Sequence, residues 1–210
     1  MDLKQKTVDS LKKYETDEDF SHLPALPKAS VLIPLLLKDG QLQLLLNVRS
    51  FNLKNHAGEV CFPGGKSESS DKDEIDTALR EAHEEIGLPP NRVETGLLIT
   101  PVVAFIEDSF QAHPNPEEVS EVFTVPLEFF TKEADHSCYP VPSIFGPTHC
   151  FIFTDPSTGN IHQIWGLTAA LAIIVAVFAM EKKPEFEVGF SLKDPVSQFK
   201  ETLNSRLSKL

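Results

Sequence analysis

The chain is short of cysteine, of long hydrophobic runs and of positive charge, and each shortage removes a class of function. Its 210 residues hold 3 cysteines, Cys61, Cys138 and Cys150, and no C-x-x-C pair. An odd count without paired spacing builds no disulfide framework, so a reducing compartment suits the chain better than secretion. All three are expected to be small, partly buried thiols. The longest apolar stretch, Leu167 to Met180, is shorter than the ~20 residues a membrane-spanning helix needs. It reads as a buried core helix. Met1 to Phe20 is polar and charged, without the apolar segment of a secretory signal. Lys and Arg number 19 against 31 Asp and Glu, a formal charge of −12. That balance offers no field for nucleic acid and argues against a polyanion-binding role. A small anionic substrate would need a local basic cluster and a cation.

What is present is concentrated between Phe62 and Leu88. Arg80 to Leu88 reads R-E-A-H-E-E-I-G-L, preceded by F-P-G-G at Phe62 to Gly65. Glu81, Glu84 and Glu85 stand at i, i+3 and i+4, so a helix gathers them on one face. Like charges so placed repel, which a cation would reverse. Carboxylates are ligands that Mg²⁺ and Mn²⁺ prefer, and such ions often bridge carboxylates to substrate phosphates. Asp71 offers an N-cap with Glu74 three residues on. Ile75, Leu79, Ala82 and Ile86 make one apolar stripe, Gly87 suits a C-cap and Pro89-Pro90 stops the helix.

Elsewhere the pattern predicts a short N-terminal helix carrying Leu3, Val8 and Leu11. A β-hairpin is predicted from Val31 to Val48 about Lys38-Asp39-Gly40. Arg49 to Gly65 reads as a loop, and Val93 to Ile106 as one strand with a break at Pro101. A second hairpin is expected between Phe151 and Trp165. Trp165 and the apolar run behind it are assigned to the core, the helix ending near Lys182-Lys183-Pro184. His56 and His83 lack a second histidine at metal spacing and read as polar bystanders. Three regions follow: a helix and lead-in segment over 1–27, a main domain over 28–190 and a polar tail over 191–210. The fold class is α/β. The tail ends in Ser208-Lys209-Leu210, the peroxisomal import tripeptide, which implies an import receptor as partner and the peroxisome as destination.

The glycine pair, a spacer and R-E-x-x-E-E-x-G-L resemble the Nudix box of hydrolases that act on nucleoside diphosphates linked to another moiety. Leu45-Leu46-Asn47-Val48-Arg49-Ser50, then Lys54, Gly58 and Phe62-Pro63-Gly64-Gly65 resemble the extra motif of the coenzyme A diphosphatases. With the C-terminal tripeptide, the likeness is to the peroxisomal members of that family, over about Ser30 to Phe186. Asn47 stands where the motif commonly has threonine and Lys54 where it has arginine. The spacer before Arg80 is one residue longer than usual, and Asp71 replaces a glutamate. Similar enzymes carry two strands between the box helix and the proline matching Pro101, so one strand or its loop is expected to be missing here.

The resemblance implies an α/β/α sandwich with a mixed sheet and the box as loop–helix–loop. It implies that Glu81 and Glu85 hold a divalent metal, Mg²⁺ or Mn²⁺, that Glu84 assists, and that Arg80 braces the loop by pairing with an acid. The reaction implied is hydrolysis of the pyrophosphate of coenzyme A or acyl-coenzyme A to 3′,5′-ADP and (acyl-)4′-phosphopantetheine. Gly64 and Gly65 would let backbone approach phosphate, while Arg49, Lys54 and Lys66 supply charge for the substrate. Glu84, Glu118 and Glu121 are all candidates for the general base. Two rivals stand beside this reading. One is the same chemistry on ADP-ribose or NADH; the other is a nucleotide-binding protein that no longer hydrolyses.

Overall fold

The computed structural model describes residues 2–13, 29–89, 93–98, 102–143 and 146–193. The lead-in segment over 14–27, Pro101 and the C-terminal tripeptide lie outside these residues. The chain divides into two compact units, Met1–Pro126 and Leu127–Leu210.

The first unit is built on a seven-stranded mixed sheet. Strands β1 (Ala29–Lys38) and β2 (Gln41–Arg49) form the expected hairpin, with Lys38 opposite Gln41. Asp39 and Gly40 both take positive φ, 51° and 75°, as a two-residue turn matched to strand twist requires. Beyond the turn, β2 pairs with β7 (Val119–Pro126) on one edge. Its far end meets β3 (Val60–Cys61), while β4 (Gly64–Lys66) pairs with the start of β1. The predicted loop over Arg49 to Gly65 thus carries two short strands. The strand expected over Val93 to Ile106 with a break at Pro101 is interrupted between Leu98 and Val102. It folds as β5 (Val93–Leu98) and β6 (Val102–Ile106), paired antiparallel, and β6 then runs parallel to β1. A continuous β-branched run satisfies two adjacent strands as well as one, because both lie within a sheet.

Helix α1 (Leu3–Lys12) and helix α2 (Glu74–Ile86) take opposite faces of this sheet. Ala78, Ala82 and Ile86 of α2 pack with Leu32, Leu36, Val102, Ala104 and Ile106. Phe105 points the other way by strand alternation, and Lys4 of α1 lies over its ring at 5.8 Å. The result is the α/β/α layering expected, within one unit.

The second unit holds a three-stranded antiparallel sheet, β8 (His136–Ser143), β9 (Gly146–Thr154) and β10 (Ile161–Trp165), with helix α3 (Gly166–Met180). A 3₁₀ turn at Leu127–Thr131 packs on α3, where Phe130 is fully buried. Ala169 to Ala179 are buried throughout, as a helix apolar on every side demands. Three expectations fail here. Trp165 is 42% exposed, because β10 alternates and turns His162 and Ile164 inward instead. Leu167 is exposed as well, two residues before the buried stretch begins. Cys138 is exposed on β8, while Cys61 is half-buried and Cys150 buried.

Candidate metal and phosphate site

Helix α2 is fixed at both ends by short-range chemistry. Asp73, not Asp71, is the N-cap, its side chain accepting from the Asp76 N–H at 2.8 Å. Asp73 immediately precedes the first helical residue, so its carboxylate reaches an orphan N–H. At the other end Gly87 takes φ 69° and donates its N–H to the last carbonyls. Small Ala78 and Ala82 bring α2 close to the sheet, so its acids meet β2 and β4.

Freed from capping, Asp71 anchors Arg80. Its two oxygens accept from Arg80 Nε at 2.9 Å and Nη2 at 3.1 Å, and Nη2 also donates to the Lys66 carbonyl at 2.9 Å. One guanidinium fork therefore ties both ends of the loop from Lys66 to Asp71 onto the helix. The Asp71 carboxyl is held far below its usual range, chiefly by the Arg80 hydrogen bond, and Arg80 is raised in turn. Arg80 Nη1 donates at 3.1 Å to both Glu81 and Glu84.

The three glutamates are graded in burial. Their side chains are 49%, 18% and 6% exposed for Glu84, Glu81 and Glu85. Glu85 Oε2 accepts from the Gly64 N–H and from Asn47 Nδ2, each at 3.1 Å. Arg49 Nη1 stands 4.0 Å from Oε1. Burial nevertheless pushes the Glu85 carboxyl up to about 7, with Glu81 adding to the rise against Gly64 and Arg49. Burial raises Glu81 as well, against the pull of Arg80, and the Glu84 and Glu118 charges add to it. These carboxylates outnumber the cations that reach them, since Arg80 is already matched by Asp71. Buried oxygens that are reluctant to ionise unaided are a donor set suited to a hard divalent cation.

Gly64 and Gly65 act differently. A Cβ on Gly64 would run into the Ser30 carbonyl and lie 2.6 Å from Val31 Cα, so the absence of a side chain permits the β1–β4 pairing. A Cβ on Gly65 would fall on the Glu81 carboxylate. Arg49 is half-buried at the end of β2, and its buried Nε has no hydrogen-bond partner among the described residues. Lys54 is exposed on the loop before β3, and Lys66 is exposed at the end of β4. Asn115 Nδ2 donates to Glu118 at 3.2 Å, and Glu121 lies on β7 opposite Val48. His56, with φ 57°, contacts Glu59 at 3.0 Å, and His83 is exposed on α2.

Two members of this constellation, Asn47 and Cys61, were not among the site residues expected from the sequence. Cys61 donates its thiol to Asn47 Oδ1 at 2.8 Å, and the other edge of that amide reaches Glu85. Only the β2–β3 register, which sets Asn47 opposite Cys61, brings them together.

A pH dependence follows from Glu85. A cation held by Glu85 would compete with a proton for that carboxylate, so Mn²⁺ should bind roughly tenfold more tightly near pH 8 than near pH 6. The sign for the fold is opposite: a carboxyl raised on folding stabilises the ion-free protein below its ordinary range, and this is lost as pH rises toward 7. Mn²⁺ titrations at the two pH values check the first statement; equal affinities would contradict it.

Comparison with known proteins places these residues in context. A family model described as the NUDIX domain matches residues 26–137. The peroxisomal coenzyme A diphosphatase NUDT7 of Mus musculus is 42% identical over 215 residues, spanning 95% of this chain and 91% of that protein. The peroxisomal coenzyme A diphosphatase ndx-8 of Caenorhabditis elegans is 36% identical over 176 residues, 76% of this chain and 72% of that protein. The mitochondrial Nudix hydrolase 15 of Arabidopsis thaliana is 39% identical over 174 residues, 76% of this chain and 61% of its own.

Proposed function

Because the chain belongs to the Nudix family, we propose that it hydrolyses the pyrophosphate of coenzyme A and acyl-coenzyme A, yielding 3′,5′-ADP and (acyl-)4′-phosphopantetheine. Nudix hydrolases use divalent metal ions, and Mg²⁺ or Mn²⁺ is the ion proposed here. The observation that carries the reading is the pair Glu81 and Glu85, one helical turn apart and held against the glycine loop. Glu81 and Glu85 would hold the ion, and Glu84 would assist from the exposed side. Such an ion, when bound, neutralises phosphate oxygens and lowers the pKa of bound water.

The remaining work falls to the chain itself. Arg80 and Asp71 fix the loop, so that the diphosphate and an attacking water can be placed in line. Arg49, with its free Nε, and the exposed Lys54 and Lys66 supply charge for the phosphates, including the additional 3′-phosphate of coenzyme A. The base that takes the proton from water is one of Glu84, Glu118 and Glu121. The hydrolase domain is taken as 28–190, flanked by an N-terminal helix and entry segment over 1–27 and the tail over 191–210. No helix among the described residues is long and apolar enough to cross a membrane. Two relatives named as peroxisomal support import by a peroxisomal receptor.

The test is a product assay at equal concentrations of coenzyme A, ADP-ribose and NADH with Mn²⁺ present. Coenzyme A should be turned over fastest, giving 3′,5′-ADP. Faster turnover of NADH or ADP-ribose would move the substrate; tight coenzyme A binding with no product would leave a binding protein.

A further inference from the structure

Asn47 is fully buried on β2, between β3 on one side and β7 on the other. A buried amide is costly unless both its edges are satisfied. Here both are, and by groups of opposite hydrogen-bonding character. In the ionised form that would hold a cation the Glu85 carboxylate only accepts, and the edge that meets its Oε2 at 3.1 Å is the NH₂ group. The Cys61 thiol donates at 2.8 Å to Oδ1 on the other edge. Turning the amide over would set oxygen against oxygen and leave the thiol without its acceptor. The thiol and the carboxylate thus together hold one orientation of Asn47, which donates from Nδ2 to the helix acid.

The Gly64 N–H reaches the same Glu85 oxygen at 3.1 Å. Oε2 is therefore occupied by two donors, and Oε1, with Arg49 4.0 Å away, is the atom left to face an ion. We infer that Asn47, oriented by the Cys61 thiol, determines which oxygen of Glu85 is presented to the divalent cation. Asn47 and Cys61 are then positioning residues and touch neither ion nor substrate. The inference rests on the metal site proposed above, and it concerns how that site is set rather than what it hydrolyses.

Three variants of the full chain test it: Asn47→Leu, Cys61→Ala and Cys61→Ser. The readout is Mn²⁺ affinity by electron paramagnetic resonance without substrate, beside kcat and KM for coenzyme A at saturating Mn²⁺. Loss of a group that orients a metal ligand costs roughly ten- to a hundredfold in affinity. Asn47→Leu should fall in that range and Cys61→Ala several-fold short of it. Cys61→Ser keeps a donor for Oδ1 and should bind Mn²⁺ as the parent does. KM for coenzyme A should stay within about twofold in all three, because none of these groups meets substrate. Equal affinities for the alanine and serine variants would overturn the inference. A folded Asn47→Leu with parental affinity would also overturn it, and if that variant does not fold the cysteine pair decides. A parent chain that binds Mn²⁺ but leaves coenzyme A intact would refute the proposed substrate alone, with the Mn²⁺ series still judging the positioning. A parent that binds no Mn²⁺ refutes both.

Discussion

Glu85→Gln should lower kcat on the order of a thousandfold or more, equivalent to roughly 4 kcal/mol of transition-state stabilisation. The substitution is close to isosteric. Its amide oxygen can still accept from the Gly64 N–H and Asn47 Nδ2, so the local hydrogen bonds stand. What goes is the negative charge at Oε1. Burial already holds the parent carboxyl up near 7, so replacing it removes a charge the fold alone keeps at a cost. The ion-free variant should therefore melt no lower than the parent at neutral pH, while the stabilisation the parent gains from Mn²⁺ disappears. Loss of activity with an unaltered or higher ion-free melting temperature is the signature of a ligand. A drop in both would mark Glu85 as a structural residue, and near-parental activity would remove it from the site.

The second large effect separates two adjacent glycines. Gly65→Ala places a methyl where the Glu81 carboxylate lies. That carboxylate is the end of a flexible side chain and can swing aside, so the fold should lose little. The acid is then displaced from the ion, and kcat should fall by about two orders of magnitude, in line with misplaced catalytic geometry. Gly64→Ala meets backbone instead, the Ser30 carbonyl and Val31 Cα, neither of which can move without parting β4 from β1. It should cost about 2 kcal/mol or more of stability before any question of activity arises. Denaturant unfolding and steady-state kinetics on both variants check the contrast. Equal stability losses would show that the Glu81 contact is not what Gly65 serves.

The sequence was most legible where one short pattern fixes one structure. Asp39-Gly40 dictated the first hairpin, and the apolar stripe with Gly87 dictated α2 and its end. Asp71 misled because two aspartates stand two residues apart; only the start of the helix decides which caps it and which is left for Arg80. β8 escaped notice because Cys138-Tyr139-Pro140-Val141-Pro142 offers no clean alternation and carries two prolines, which suit an edge strand. Over Val93 to Ile106 the break was readable, but not the antiparallel pairing of the two halves, because both have the same β character. At the site, the glutamate spacing was readable from local geometry alone. The Asn47–Cys61 contact was not: Asn47 stood out only as a departure from a motif, and its partner is assigned by strand register, which no local pattern encodes.

Crystals grown with saturating Mn²⁺ and examined for anomalous scattering address the α2 acids directly. A peak within coordinating distance of Glu81 and Glu85, on the Oε1 side of Glu85, is the outcome this account requires. Clear density for both side chains with no peak between them, at an ion concentration that supports turnover, would contradict it.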